Sequence, residues 1–395
     1  LQLSVVILNY NVRHFLEQCV LSVQSALLHL DAEIIVVDNN SSDDSVAMIK
    51  ERFPTVKLIQ NTENSGFPKG NNVGVAVAQG DYVCILNPDT VVSEDTFVKV
   101  LAFAEKQSNC GIVGVKLIDG AGNFLPESKR GVPTPWVAFT KIVGLYRIFP
   151  HYKWSKQLFG KYYAQHLNEN ESGPVSILVG AFMVLKRDLY TELKGFDESC
   201  FMYSDDIDLS YRALLAGKSN FYFHETTVIH YKGESTIKDA SYMKRFQEAM
   251  TFFYQKHFKV SFLFRFLMQV GISFFSFIKM LQGSSADKWQ QMQTPDGYIL
   301  FSKNKMLANK LASILQNNVV FHDITPEKMV FSFTEKSEKQ VEIILDSEHM
   351  SFKECISFLE SARNKGFTFK ILPKSANFLI GSNNSNSRGE IIEIV

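Results

Sequence analysis

The chain has 395 residues, 46% of them apolar and 33 of them Phe, which is enough material for two packed domains or for one large domain with an appendix. Lys plus Arg and Asp plus Glu balance at 41 each, so no polyanion-binding surface is expected and nucleic acid is excluded as a partner. The five cysteines (Cys19, Cys84, Cys110, Cys200, Cys355) are scattered, with no CxxC pair or zinc spacing, and fit a reducing compartment. No basic-then-apolar signal segment is expected at the start, because Leu3–Leu8 already reads as a strand and polar Asn9 follows.

The first ~120 residues alternate apolar strands with helical patterns, the signature of a βαβ sheet. SVVIL is a strand, and Phe15, Leu16, Cys19, Val20, Val23, Leu27 and Leu30 then recur at helical spacing. EIIVVD is a second strand, followed by NNSSDDS, where Ser or Asp is expected to cap a helix carrying Val46, Ile49 and Phe53. VKLIQN, a helix broken by glycines, and DYVCILNPD complete the pattern. Such sheets bind ligands outside the carboxyl ends of their strands. Those ends read LNYN (Asn9, Tyr10, Asn11), VVDNNSSDD (from Asp38), QNTENSGFPKGNN and LNPDT (with Asn87 and Asp89). Polar turn residues explain any single exit; four in succession point to a nucleotide-sized site.

Between Pro126 and Pro174 the pattern weakens, and PESKRGVPTPW reads as a loop, either facing a substrate or making a plain surface connection. VSILVGAFMVLKR reads as one near-continuous apolar strand, in which Gly180 and Ala181 admit another backbone or a ligand. A helix opening at SDDIDLSYR and the strand FYFHETTVIH follow. Met243, Phe246, Met250, Phe253 and His257 mark one helical face. The next charge-free run, Phe266 to Ile278, is shorter than the ~20 apolar residues a membrane span needs. Arg265, Gln269, Ser273, Ser276 and Lys279 form a narrow polar stripe on it, as in a helix lying in a membrane interface or one buried against another domain. From about Pro295 a second α/β unit is expected, with strands GYILFSK, NNVVFHDI, VEIILD, FTFKIL and EIIEIV and a capping-box helix at Ser351 and Glu354. It has no glycine-rich phosphate loop.

Three positions carry candidate chemistry. Asp38 and Asp89 each end an apolar strand, where a carboxylate binds a divalent ion or a ribose hydroxyl. Hard cations such as Mg2+ or Mn2+ manage with one or two carboxylates when a substrate phosphate supplies the rest, so Asn87 in place of a second acid is tolerable. Asp205, Asp206 and Asp208 crowd the first turn of a helix that Ser204 can cap. One acid there is explained by the helix dipole, worth ~0.3–1 kcal/mol; three also suit a general base, because crowded carboxylates raise one another's pKa. His230 ends a strand, either as a hydrogen-bonded structural residue or as a cation ligand.

In order, SVVILNYN, VVDNNSSDDS, NSGFPKGNNVG, LNPDT, GAFMVLKR, GFDESCFMYSDDIDLSYR and VIHYKG resemble bacterial family 2 glycosyltransferases of the GT-A fold, in particular a rhamnosyltransferase-like branch that builds surface polysaccharides. The resemblance covers about residues 3 to 235. It implies a Rossmann-like mixed sheet, a nucleotide-diphosphate sugar donor, inversion at the sugar and a divalent metal, Mg2+ or Mn2+. It makes Asn9, Tyr10, Asp38 and Asn71 nucleotide contacts, with Asn11, Asn87 and Gly180 added to the donor set by their place on the rim. Asp89 becomes the metal ligand and His230 a residue that reaches the metal or diphosphate. Asp205 and Asp206 match an acidic pair, with Asp206 as catalytic base. The expected organisation is a GT-A catalytic domain over 1–236, a helical and membrane-associated segment over 237–290 and a smaller α/β domain over 291–395. The expected acceptor is a glycan or lipid-linked glycan, and the expected location is cytoplasmic, with the inner membrane's cytoplasmic face as a candidate surface. The rival expectation is a noncatalytic scaffold of the same fold that binds nucleotide or glycan.

Overall fold

The computed structural model describes residues 1–134, 164, 166–232, 240–258, 295–324, 340–383 and 389–394. Two β-sheets organise them. The first begins with β1 (Leu3–Asn9), β2 (Ala32–Asp38), β3 (Lys57–Gln60) and β4 (Tyr82–Leu86), which lie parallel in the order β3-β2-β1-β4. β1 and β4 read as continuous apolar runs because helices cover both faces of a parallel sheet. Leu3, Val5 and Ile7 point to the face covered by α1 (Arg13–Ala26), α2 (Ser45–Arg52) and α4 (Thr96–Lys106). Val6 points to the face covered by α3 (Gly66–Ala76). The glycines of α3 do not break it. A Cβ at Gly70 would strike the Leu8 side chain, and one at Gly74 would strike Val6, so these positions let the helix lie close on the sheet.

Beyond β4 the sheet becomes mixed. β8 (Phe182–Lys186) runs antiparallel to β4 and to β6 (Cys110–Ile118), and β9 (Ser219–His230) runs parallel to β6. Two short antiparallel strands, β5 (Thr90–Val91) and β7 (Gly173–Val175), pair with β9. The reversal at β8 puts its amino end on the same rim as the carboxyl ends of β1, β2, β4 and β9. VSILVGAFMVLKR is therefore not one strand. Residue Ile177 bridges Arg130 instead, and the chain turns before β8, which delivers Gly180 to the rim. α5 (Arg187–Glu192) and α6 (Asp205–Leu215) complete the α3 face through Tyr190, Leu209 and Ala213. α7 (Ala240–His257) packs its Phe253 and Tyr254 against Ile177 and Ile207. The polar-striped stretch over 262–281 lies outside the described residues. Among the described residues no helix is long and apolar enough to cross a membrane.

The second sheet has the order β11-β10-β12-β13-β14-β15, from β10 (Gly297–Ser302), β11 (Val319–Asp323), β12 (Val341–Asp346), β13 (Phe367–Leu372), β14 (Phe378–Gly381) and β15 (Glu390–Glu393). β14 and β15 are antiparallel additions to a parallel core. α8 (Lys305–Leu315) covers one face and α9 (Phe352–Ala362) the other. The capping box at α9 forms as expected, with Ser351 and Glu354 bonding reciprocally. The caps expected from Ser or Asp before α2 and from Ser204 before α6 do not form. Asp44, at the first of these, turns to Arg13, and the Ser204 hydroxyl lies 3.1 Å from the Cys200 thiol.

α9 joins the two sheets. Its Phe352, Cys355, Ile356 and Leu359 share one apolar core with Val12, Phe15, Val91, Ile118, Ile229 and Tyr231 of the first unit. Lys116–Glu360 at 2.8 Å, Lys353–Asp95 at 2.7 Å and Arg363–Glu169 at 2.9 Å surround it. Gly122, at φ +82°, faces the Leu359 carbonyl so closely that a Cβ has no room. Gly122→Ala is expected to cost about 1–3 kcal/mol by clash and backbone strain, read as a lower midpoint in equilibrium denaturant unfolding; an unchanged midpoint would contradict this packing.

Candidate active site

The rim begins with Asn9 and Asp38, register partners at the ends of β1 and β2. Both are buried. Asn9 Nδ2 donates to Asp38 Oδ1 at 2.8 Å and to Ser41 Oγ at 3.0 Å, and the Ser41 amide donates to Asp38 Oδ2 at 2.9 Å. These donors hold the carboxylate in one orientation. Asn11 adopts φ 54° and accepts from the Ser42 amide at 2.7 Å, so it ties the β1 exit to the β2 exit, with half-buried Tyr10 beside it. Asn39, which the sequence did not single out, is a hub. It donates to Asn64 and to the Gly66 carbonyl and accepts from Asn61 and Ser65. Asn71, fully buried on α3, donates to the Phe67 carbonyl at 2.9 Å.

The opposite end is built where β4 leaves the sheet. β5 pairs with β9 so that Thr90 faces His230, which brings Asp89 next to the histidine. His230 Nε2 lies 3.5 Å from Asp89 Oδ1 and 3.4 Å from Asn87 Nδ2. The Tyr231 amide donates to the Asp89 carbonyl at 3.0 Å. The three predicted residues Asn87, Asp89 and His230 therefore converge. Among the described residues no group of three or more His, Cys, Asp or Glu is placed to hold a metal. One carboxylate and one imidazole suit a cation whose remaining ligands are phosphate oxygens and water.

Asp206 stands between these ends, at the start of α6. Arg130 Nη2 pairs with its Oδ2 at 2.6 Å, the Gly180 amide donates to the same oxygen at 3.0 Å, and the Ile207 amide donates to Oδ1 at 2.7 Å. Arg130 is itself fixed by a two-way backbone bridge to Ile177 and by a bond to the Leu178 carbonyl. Arg130 thus brings the described part of the connection after β6 to Asp206. A Cβ on Gly180 would rest at 3.4 Å from both Asp206 Cβ and the Phe67 ring, so glycine keeps that approach open.

The three clustered acids have three fates. Asp206 meets Arg130. Asp208 is fully buried and is bound by Arg212, Lys256 and His257, which fastens α7 to α6. In Asp205, burial first and the neighbouring Asp206 charge second push the carboxyl from 3.8 up to about 8. Asp205 is thus the neutral member of the pair at neutral pH, and Asp206 is the one that meets the Arg130 guanidinium. The two ends of the rim are linked through the α3 start and the turn before β8: Asn39 bonds the Gly66 carbonyl, the Phe67 ring lies against Gly180, and the Asn87 amide donates to the Ala181 carbonyl at 3.0 Å.

Residues 4–194 match the family described as Glycosyl transferase family 2. It is 26% identical over 250 residues to the N-acetylglucosaminyl-diphospho-decaprenol L-rhamnosyltransferase of Mycobacterium tuberculosis, covering 60% of this chain and 78% of that protein. It is 28% identical over 173 residues to the rhamnosyltransferase WbbL of Escherichia coli K12, covering 42% of this chain and 61% of that protein. It is 31% identical over 133 residues to the minor teichoic acid biosynthesis protein GgaB of Bacillus subtilis, covering 32% of this chain and 14% of that protein.

The raised carboxyl of Asp205 has a stability consequence of known sign. A folded value above the unfolded one adds stability that is complete below pH 3.8 and is lost as pH rises towards about 8. Thermal unfolding of wild type and Asp205→Asn across that window should show wild type losing ground to the variant as pH rises. A difference that does not change with pH would contradict a buried, neutral Asp205.

Proposed function

We propose that residues 1–236 form a GT-A glycosyltransferase that moves a sugar, with inversion, from a nucleotide-diphosphate donor to a glycan or lipid-linked glycan acceptor in surface polysaccharide synthesis. The observation that carries this reading is the placing of Asp206, held by Arg130 and the Gly180 amide, between the Asn9–Asp38 pair and the Asn87–Asp89–His230 cluster on one rim. The relatives that act on diphospho-linked and surface glycans support the substrate class, with rhamnose as the first candidate sugar.

In this reading Asn9, Tyr10, Asn11, Asp38 and Asn71 take the nucleoside, and Asn87 and Gly180 line the path to the reacting sugar. Asp89 and His230 would hold a divalent cation, Mg2+ or Mn2+, which when bound supplies charge stabilisation to the departing diphosphate. Asp206 accepts the proton of the acceptor hydroxyl as that oxygen bonds to the anomeric carbon and the bond to the diphosphate oxygen breaks, its electron pair leaving with the diphosphate. The Arg130 guanidinium and the Gly180 amide aim Asp206. Neutral Asp205 avoids a second negative charge beside it. Within residues 237–290, the stretch around Phe262–Leu281 is the one we assign to the cytoplasmic face of the inner membrane, on the strength of the polar residues from Arg265 to Lys279 in its sequence.

Asp206→Asn should lower transfer ~10²–10⁴-fold while leaving nucleotide binding intact, measured as sugar transfer from UDP-, dTDP- and GDP-sugars to an N-acetylglucosaminyl diphospholipid. Near-normal turnover would remove Asp206 as the base. Wild-type protein that binds nucleotide but transfers nothing would favour the noncatalytic scaffold. Arg130→Ala should also reduce turnover, with donor affinity less affected, because it leaves Asp206 without its cation; unchanged turnover would contradict the positioning role.

A further inference from the structure

The second sheet contributes no side chain to the chemistry above, yet it is packed against one end of that chemistry. We propose that α9 is a positioning element for Asp89 and His230, so that the seated second unit holds the cation and diphosphate end of the rim in its binding geometry. The inference rests on the reading that Asp89 and His230 hold a cation against the donor diphosphate.

β5 has two residues and lies at the edge of the first sheet, paired among the described residues with β9 alone. So short an edge strand has few hydrogen bonds of its own, and its place depends on what packs against it. Val91 of β5 and Ile229 and Tyr231 around His230 are buried in the core shared with Phe352, Cys355, Ile356 and Leu359 of α9. Tyr231 sits in that same core, where its ring meets Phe15 of α1 edge-on at 5.2 Å between centroids, and its amide holds the Asp89 carbonyl.

Glu94, three residues after Val91, closes the clamp. Its carboxylate accepts the amides of Phe352 at 2.7 Å and Lys353 at 2.9 Å, the first amides of α9, where the helix dipole favours an anion. Lys353 adds its ammonium to Asp95; burial opposes ionisation there, but hydrogen bonds from Lys353, Lys99 and Ser93 outweigh it and lower that carboxyl's pKa from 3.8 to about 2. By contrast, the Asn9–Asp38 pair takes its bonds from Ser41 and each other, within the first unit. Val12 and Phe15 at the β1 exit also touch the shared core, but the hydrogen bonds that hold Asn9 and Asp38 do not involve α9, so loosening α9 should disturb the Asp89–His230 end more than the Asn9–Asp38 end.

The test uses the full chain with Glu94→Ala, Lys353→Glu and Phe352→Ala, and Glu94→Gln as the conservative control. Hydrogen exchange reports whether the α9 amides loosen. Calorimetry with UDP and with dTDP, each with and without Mn2+, gives the affinity gained from the metal. The expected result is faster exchange in α9 with the metal-dependent gain reduced about fivefold or more, metal-free affinity unchanged, and part of the gain retained in Glu94→Gln. Faster exchange in α9 with an intact metal-dependent gain would overturn the inference. Unchanged exchange in all three disruptive variants would overturn the clamp. A wild-type protein with no metal-dependent gain would instead overturn the reading of Asp89 and His230 on which the inference rests.

Discussion

A carboxylate with 8% of its surface exposed is costly unless its charge is met, and Asp206 is met from three separate parts of the chain. Arg130 comes from the loop after β6, the Gly180 amide from the turn before β8, and the Ile207 amide from its own helix. This constraint explains the break between β7 and β8. A strand running straight through residues 175–187 would leave neither Gly180 at the rim nor Ile177 free to bridge Arg130. Close approach at Gly180, the antiparallel turn into β8 and the aim of the carboxylate are one piece of construction.

The first sheet collects chemistry at one rim because its strand directions allow it. Parallel β1, β2, β4 and β9 deliver carboxyl ends there, and antiparallel β8 delivers its amino end. The second sheet meets this rim from the β5–β9 side through an apolar core ringed by ion pairs. Desolvated packing of that kind positions the strands it touches, whereas the exposed Lys353–Asp95 pair at its edge contributes little. The second unit is thus placed to bear on the geometry of this rim.

Much of this was legible in the sequence. Buried parallel strands read as unbroken apolar runs, so SVVIL, EIIVVD and DYVCIL were evident, and their polar exits named Asn9, Asp38 and Asp89. The capping box at Ser351 was equally plain, because it depends on residues three apart. What was hidden depends on pairs distant in sequence. Arg130 lies 76 positions from Asp206, in a stretch without periodicity, so nothing local marked it. The three acids from Asp205 to Asp208 looked like one cluster, because sequence spacing does not reveal that α7 claims Asp208. The glycines of α3 looked like helix breakers, since their function is to let Leu8 and Val6 come close, and that contact exists only once the sheet forms.

We propose the rim from Asn9 to His230 as a donor site for a nucleotide-diphosphate sugar. The most direct measurement is thermal unfolding of the wild-type chain with UDP, dTDP, GDP and CMP, each with and without Mn2+. A ligand that prefers the folded state raises its apparent stability. The account predicts a rise in Tm with a nucleoside diphosphate that grows when Mn2+ is present, and the responding nucleotide identifies the donor's base. No shift with any nucleotide, with or without the metal, would contradict it.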